Sequence, residues 1–267
     1  MRIRIQALVV LAAHSLLALA CGDKVEVTET SEVKIKQGQY FQTQDQQYRY
    51  QVAILSCSRQ PSGLSELLDR GVCWRTCTGT ILKSNKILTA AHCNANNSST
   101  YVASYSGSTL DGRSWKVGSV SYPYNTSPSN WRDNQGNGYL HDLAMLHLTT
   151  DMTLGSTQLA AQVGTQNPEG LQAYISGSGL HESIDNIGYY LKWREVNISA
   201  VDLLNQKLTL NQDLVDSGDS GSGIFTYNGS QAVIHGVLSS HAELWPLDYT
   251  YYTYTGFAHY AWILSQL

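Results

Sequence analysis

Three short segments, far apart along the chain, constrain it most. They are Leu88-Thr89-Ala90-Ala91-His92-Cys93, His141-Asp142-Leu143-Ala144-Met145-Leu146 and Ser217-Gly218-Asp219-Ser220-Gly221-Ser222-Gly223. A serine hydroxyl is a poor nucleophile until a positioned base takes its proton, and the base works best when a buried carboxylate fixes its tautomer. His92, Asp142 and Ser220 are the residue types for that chemistry, and a fold that uses them must bring three distant positions to one place. Each also has a plainer reading. His92 could be a core histidine, Asp142 a turn residue opening a strand, and Ser220 part of a solvated glycine-rich loop. The surroundings argue otherwise: Thr89-Ala90-Ala91 leads into His92, Asp142 is followed by the apolar run of a buried strand, and Gly218 frees its amide to point, with that of Ser220, at a developing oxyanion.

The order His, Asp, Ser separates readings. An α/β-hydrolase would run Ser, acid, His around a Gly-x-Ser-x-Gly elbow, and neither feature is present. Together the three segments resemble the chymotrypsin-like serine peptidases of the trypsin family, across roughly residues 48 to 263. The resemblance implies an all-β fold of two packed six-stranded antiparallel β-barrels, about 48–155 and 156–267, with a short C-terminal helix over 258–266. It implies an endopeptidase in which His92 is the base, Asp142 its orienting acid, Ser220 the nucleophile, and the Gly218 and Ser220 amides the oxyanion hole. It implies protein or peptide substrates, a monomer, no cofactor and no metal.

Composition agrees. Only 14% of residues are charged, and Gly, Ser, Thr, Tyr and Val are abundant, which favours many short strands with polar turns. Strand-like runs fall at 48–56, 78–82, 86–90, 115–122 and 142–148, then at 171–176, 189–199, 207–211, 223–227, 232–239 and 249–257. Residues 154–170 read as the crossover between barrels. A net charge of −4 offers no basic face, so nucleic acid is not an expected partner. Beyond the N-terminus no apolar run reaches 18 residues, so no span of a membrane is expected. His141, His147, His181, His235 and His259 read as surface or core histidines without a metal-binding spacing.

The first twenty residues read as a targeting segment, with Arg2 and Arg4 ahead of a mostly apolar stretch ending Ala18-Leu19-Ala20-Cys21-Gly22. This is similar to a bacterial lipoprotein signal, in which the cysteine is lipidated and becomes the first residue. The plainer alternative is an ordinary secretory signal cleaved near Ala20. Residues 21–47 are polar and Gln-rich and read as a tether or propeptide, leaving 48–267 as the folded domain.

Five cysteines are an odd count for an exported chain. If Cys21 carries lipid, four remain, with three pairings open. The family resemblance selects Cys77 with Cys93, and then Cys57 with Cys73. Each bridge would close a loop of about fifteen residues, worth roughly 3 kcal/mol in the chain-entropy model. The rival is a zinc site, but Cys73-x-x-x-Cys77 lacks a matching second pair.

Departures from the family pattern fall on specificity and activation. The family's pocket-floor residue, six before the serine, corresponds to Leu214, or to Asp213 if the loop slips by one. Its pocket wall, usually Ser-Trp-Gly, reads Ser239-Ser240-His241, so Ser239 and His241 are the candidate substrate contacts. The run Ser220 to Phe225 also looks like the glutamyl endopeptidase branch, and the residues conflict over the preferred side chain. In zymogen members the carboxylate before the nucleophile pairs with a newly cut α-amino group. Here that carboxylate is Asp219, and Lys34-Ile35 is the nearest match to a cleavage point, making Asp219 with Ile35 a candidate activation pair. The alternative is that Asp219 pairs locally and no activation occurs. Two readings of other kinds compete with the enzyme: an inactive homologue that binds peptide through its cleft, and a surface lipoprotein that serves attachment.

Overall fold

The computed structural model describes residues 38–43, 45–96, 98–124, 127, 141–155, 158–179, 190–212, 214–215, 218–244 and 247–267, without the side chains of 241–248. Its strands are β1 (Gln39–Tyr40), β2 (Gln51–Cys57), β3 (Cys73–Lys83), β4 (Lys86–Thr89), β5 (Thr100–Ser106), β6 (Thr109–Ser121), β7 (Ala144–Leu148), β8 (Gln162–Val163), β9 (Gln172–Gly177), β10 (Lys192–Asn197), β11 (Ala200–Asp202), β12 (Lys207–Leu210), β13 (Gly223–Asn228), β14 (Gln231–Leu244) and β15 (Leu247–Tyr254). Two α-helical segments accompany them, α1 (Leu64–Leu67) and α2 (Ala258–Gln266).

The first half closes into an antiparallel barrel in the order β2-β3-β4-β7-β6-β5. Closure removes the free edges that an open sheet would expose. Its strands carry Val52, Ile54, Ile81, Ile87, Leu88, Val102, Val117, Met145 and Leu146, all buried in one core. β5 has no counterpart among the expected strands. It is buried at six of seven positions, and Thr100, Ala103, Ser104 and Ser106 are small or polar, so neither alternation nor an apolar run marks it.

The second half differs from the expected six-stranded barrel. It is a nine-stranded sheet in the order β1-β10-β9-β13-β14-β15-β12-β11, with β8 pairing parallel to β14 off that path. The extra members come from segments that lack a strand pattern. β8 lies inside the crossover, β1 in the stretch read as a tether, and β11 just past the expected strand at 189–199. β1 pairs with β10, Gln39 opposite Trp193, and so covers what would be a bare edge. Next to it Phe41 is buried and stacks on Trp193. The end of the polar segment, from about residue 38, is therefore part of the folded domain rather than a tether. A contact between two aromatic side chains outweighs the polar composition around it.

The two halves share a core. Phe225, Ala232, Ile234 and Val237 from the second half and Ile263 from α2 are buried with the first-barrel residues in one cluster. Disulfides join Cys57 to Cys73 and Cys77 to Cys93. The second ties β3 to the turn that follows β4, directly behind His92.

Candidate active site

His92 sits on a single 3₁₀ turn, Ala91–Cys93, that follows β4, and Asn94 ends the turn in the left-handed region with φ 49°. β4 pairs with β7, Thr89 opposite Ala144, so the residues after Thr89 and before Ala144 emerge at one end of that ladder. The result is short contact between His92 and Asp142. The Asp142 carboxylate is fully buried and accepts the His92 main-chain N–H at 2.9 Å through Oδ1 and His92 Nδ1 at 2.7 Å through Oδ2. The carboxylate oxygen accepts this bond, so Nδ1 carries the proton, and in the neutral ring the lone pair falls on Nε2. The imidazole is thus held in the tautomer of a base, with the side chain 20% exposed.

Ser239 supplies a third hydrogen bond to the same carboxylate, its hydroxyl donating to Asp142 Oδ2 at 2.5 Å. The pairing of β14 with β15 shifts register between Leu238 and Ser240, and that bulge re-aims the intervening side chain. The Ser239 side chain is thus buried against the acid, and its expected contact with the substrate backbone would fall to its main chain. Behind Asp142, His141 donates from Nδ1 to His259 Nε2 at 2.9 Å, and His259 in turn donates from Nδ1 to the Tyr254 carbonyl at 2.7 Å. This chain anchors the turn that carries Asp142 to α2. His141 and His259 are packing and anchoring residues beside the acid.

Ser220 lies on the loop that leads into β13, half-buried. Its carbonyl accepts the Thr78 N–H at 2.8 Å, Gly221 N–H donates to Leu238 at 2.9 Å, and Ser222 N–H closes onto the Asp219 carbonyl at 3.0 Å. Gly221 has φ +81°, and a Cβ there would lie 2.1 Å from Thr89 Oγ1 and 2.4 Å from the Thr78 carbonyl. Only glycine lets the loop press this closely on β3 and β4. Since β4 runs straight into Ala90 and His92, the serine loop and the histidine turn are neighbours. Gly218 has φ +91°, and among the described residues nothing accepts the amides of Gly218 or Ser220. The Gly218 carbonyl is held by Arg75 Nη2 at 2.6 Å and by Thr78 Oγ1 at 3.2 Å.

Asp219 is fully buried, and its Oδ1 accepts the Gly179 N–H at 2.7 Å. Gly177 makes room for it, because a Cβ there would fall 2.2 Å from that oxygen. Ile35, Cys21, Asp213 and His181 lie outside the described residues, as does the side chain of His241, whose backbone pairs with Thr250. Leu214 is a core side chain, buried with Val215, Ile224, Leu238 and Tyr252. Its N–H donates to Thr250 Oγ1 at 3.2 Å. Cys77, His92 and Cys93 come close enough to suggest a metal cluster, but both sulfurs are spent in the disulfide.

Sequence reasoning missed three contributors to this site: Ser239 as a donor to the acid, and Arg75 and Thr78 as the groups gripping the serine loop. All three act across long sequence separations, and Ser239 depends on a bulge that no local pattern announces.

Known proteins place this geometry in context. A family model described as trypsin matches residues 23–263. Trypsin delta and trypsin gamma of Drosophila melanogaster are each 31% identical over 128 residues, 46% of this chain and 47% of those proteins. The chain thus spans about half the length of these curated relatives. A structure of human heparin binding protein superposes with a TM-score of 0.61 at 17% identity, over 86% of this chain and 95% of that one. That likeness establishes the all-β chymotrypsin-like fold.

Proposed function

The chain belongs to the trypsin family, and on that premise we propose that it is an exported serine endopeptidase acting through Ser220, His92 and Asp142. The observation that carries this reading is the Asp142 carboxylate, which fixes His92 Nδ1–H and leaves Nε2 as a base beside the serine loop. In the reaction His92 takes the Ser220 proton while Ser220 Oγ attacks a peptide carbonyl. The tetrahedral oxyanion is received by the Gly218 and Ser220 amides. The imidazolium then protonates the leaving amine, and water, activated by the same base, resolves the acyl-enzyme.

Export rests on Arg2, Arg4 and the apolar stretch ending at Ala20, and Cys21 supports a lipid anchor to a bacterial envelope. The domain would work there as a monomer on protein substrates. Asp219 has a backbone donor in Gly179, which supports a serine loop held without cleavage at Lys34-Ile35. N-terminal sequencing of active protein tests this: a chain beginning at Cys21 fits, and one beginning at Ile35 restores the activation pair.

The function itself is tested by incubating purified protein with a proteome-derived peptide library and reading new termini by mass spectrometry. Termini that recur after one class of side chain, and vanish with a serine-directed inhibitor, support an endopeptidase and identify its preferred residue. A library left intact favours the homologue that only binds peptide.

A further inference from the structure

We propose that Arg75 is a positioning residue that sets the oxyanion loop, an inference that rests on the peptidase reading for its consequence but not for its geometry. Arg75 is on β3 and only 5% exposed. Arginine is almost never buried so deeply without a partner. Among the described residues Arg75 nevertheless makes no ion pair. Its Nε donates to the Cys77 carbonyl at 3.3 Å, and Nη2 donates to Thr78 Oγ1 at 2.6 Å and to the Gly218 carbonyl at 2.6 Å. Its Nη1 is buried and has no hydrogen-bond partner among the described residues. Among the described residues, this cation is thus held inside the protein by neutral oxygens, and one of them is 143 residues away on the serine loop.

That contact falls where the loop most needs a clamp. Gly218 has φ +91° and no side chain to restrict it, so its peptide would swing freely without an outside constraint. Arg75 and Thr78 both hold its carbonyl, and the Thr78 N–H holds the carbonyl of Ser220. Two carbonyls tied to one strand fix the segment Gly218-Asp219-Ser220 from both ends. The amides of Gly218 and Ser220, which have no acceptor among the described residues, are then preset for an incoming charge. A charged donor makes this grip roughly twice as strong as a neutral one. The buried guanidinium explains why a charge is kept where an apolar side chain would pack.

Three measurements test the clamp. Arg75→Met keeps the length and removes the charge. It is expected to lower kcat roughly 30- to 100-fold, at or below the roughly 10²–10³ lost when an oxyanion donor is removed outright, with KM within about threefold. Arg75→Lys is expected to recover most of that loss. In a Ser220→Ala background, hydrogen exchange in 218–223 is expected to speed up about tenfold on Arg75→Met, while β5 and β6 are unchanged. Should Arg75→Met not fold, Thr78→Val removes the neighbouring grip on Gly218 and is expected to shift kcat and loop exchange in the same direction. Unchanged loop exchange, or a loss spread equally over kcat and KM without lysine rescue, overturns the proposal. If exchange responds but the parent protein cleaves no peptide, the clamp stands and the peptidase reading fails.

Discussion

The Ser239 hydroxyl donates to Asp142 Oδ2, the same oxygen that accepts the hydrogen bond from His92 Nδ1–H. The acid therefore has three donors, two from His92 and one from Ser239. Removing the smallest of them leaves the tautomer intact and loosens only the orientation of the carboxylate. Ser239→Ala is expected to lower kcat roughly 10- to 100-fold, the range for one hydrogen bond to a charged group. Asp142→Asn reverses the tautomer preference, and its expected loss is on the order of 10⁴. Steady-state kinetics on one peptide separates the two, and equal losses would mean that Ser239 carries more than orientation.

Gly221 marks how tightly the serine loop is pressed on the first barrel. In Gly221→Ala the new methyl meets Thr89 Oγ1 and the Thr78 carbonyl inside contact distance, at a φ that alanine tolerates poorly. The loop must lift, which separates Ser220 from the histidine turn. The expected result is a loss of at least about 2 kcal/mol in stability, as for other strained backbone positions, together with loss of nearly all activity. Chemical denaturation and a single-turnover assay check both, and a stable, active variant would contradict the packing described.

Much of this site is legible in the sequence because its chemistry demands particular residue types in small, distinctive loops. His92 with its flanking Thr89-Ala90-Ala91, and Ser220 within its glycine run, are readable one segment at a time. The C-terminal helix over Ala258–Gln266 was legible as well. The remainder depends on contacts that no window along the chain contains. Ser239 turns to Asp142 through a bulge, Arg75 reaches Gly218 across the halves, and Leu214 is taken into the core. β1 is not legible for a related reason: no apolar pattern marks it, and pairing with β10 beside the buried Phe41 makes it a strand.

His235 gives the fold a pH dependence. It is 4% exposed, its Nε2 bonds with Thr226 Oγ1 at 2.8 Å, and burial pushes its imidazole down from 6.5 to about 4. Between those values the unfolded chain binds a proton that the folded chain refuses, so stability is full above pH 6.5 and falls as pH drops toward 4. Burial lowers His141 in the same direction. The contribution of His235 is about 3 kcal/mol at most. Denaturant midpoints at pH 7.5 and 4.5 are expected to differ clearly, and His235→Gln is expected to shrink the difference. A gap unchanged in that variant would place the acid sensitivity elsewhere.

Covalent labelling of Ser220 addresses the central claim most directly. A fluorophosphonate probe reacts with a serine only when a base and an oxyanion hole activate it. The purified chain is expected to gain one adduct, located by mass spectrometry on Ser220, with labelling abolished in Ser220→Ala and slowed at least about 10³-fold in Asp142→Asn. A folded chain that takes no label, or a Ser220→Ala variant that still does, would contradict the assignment of Ser220 as the nucleophile.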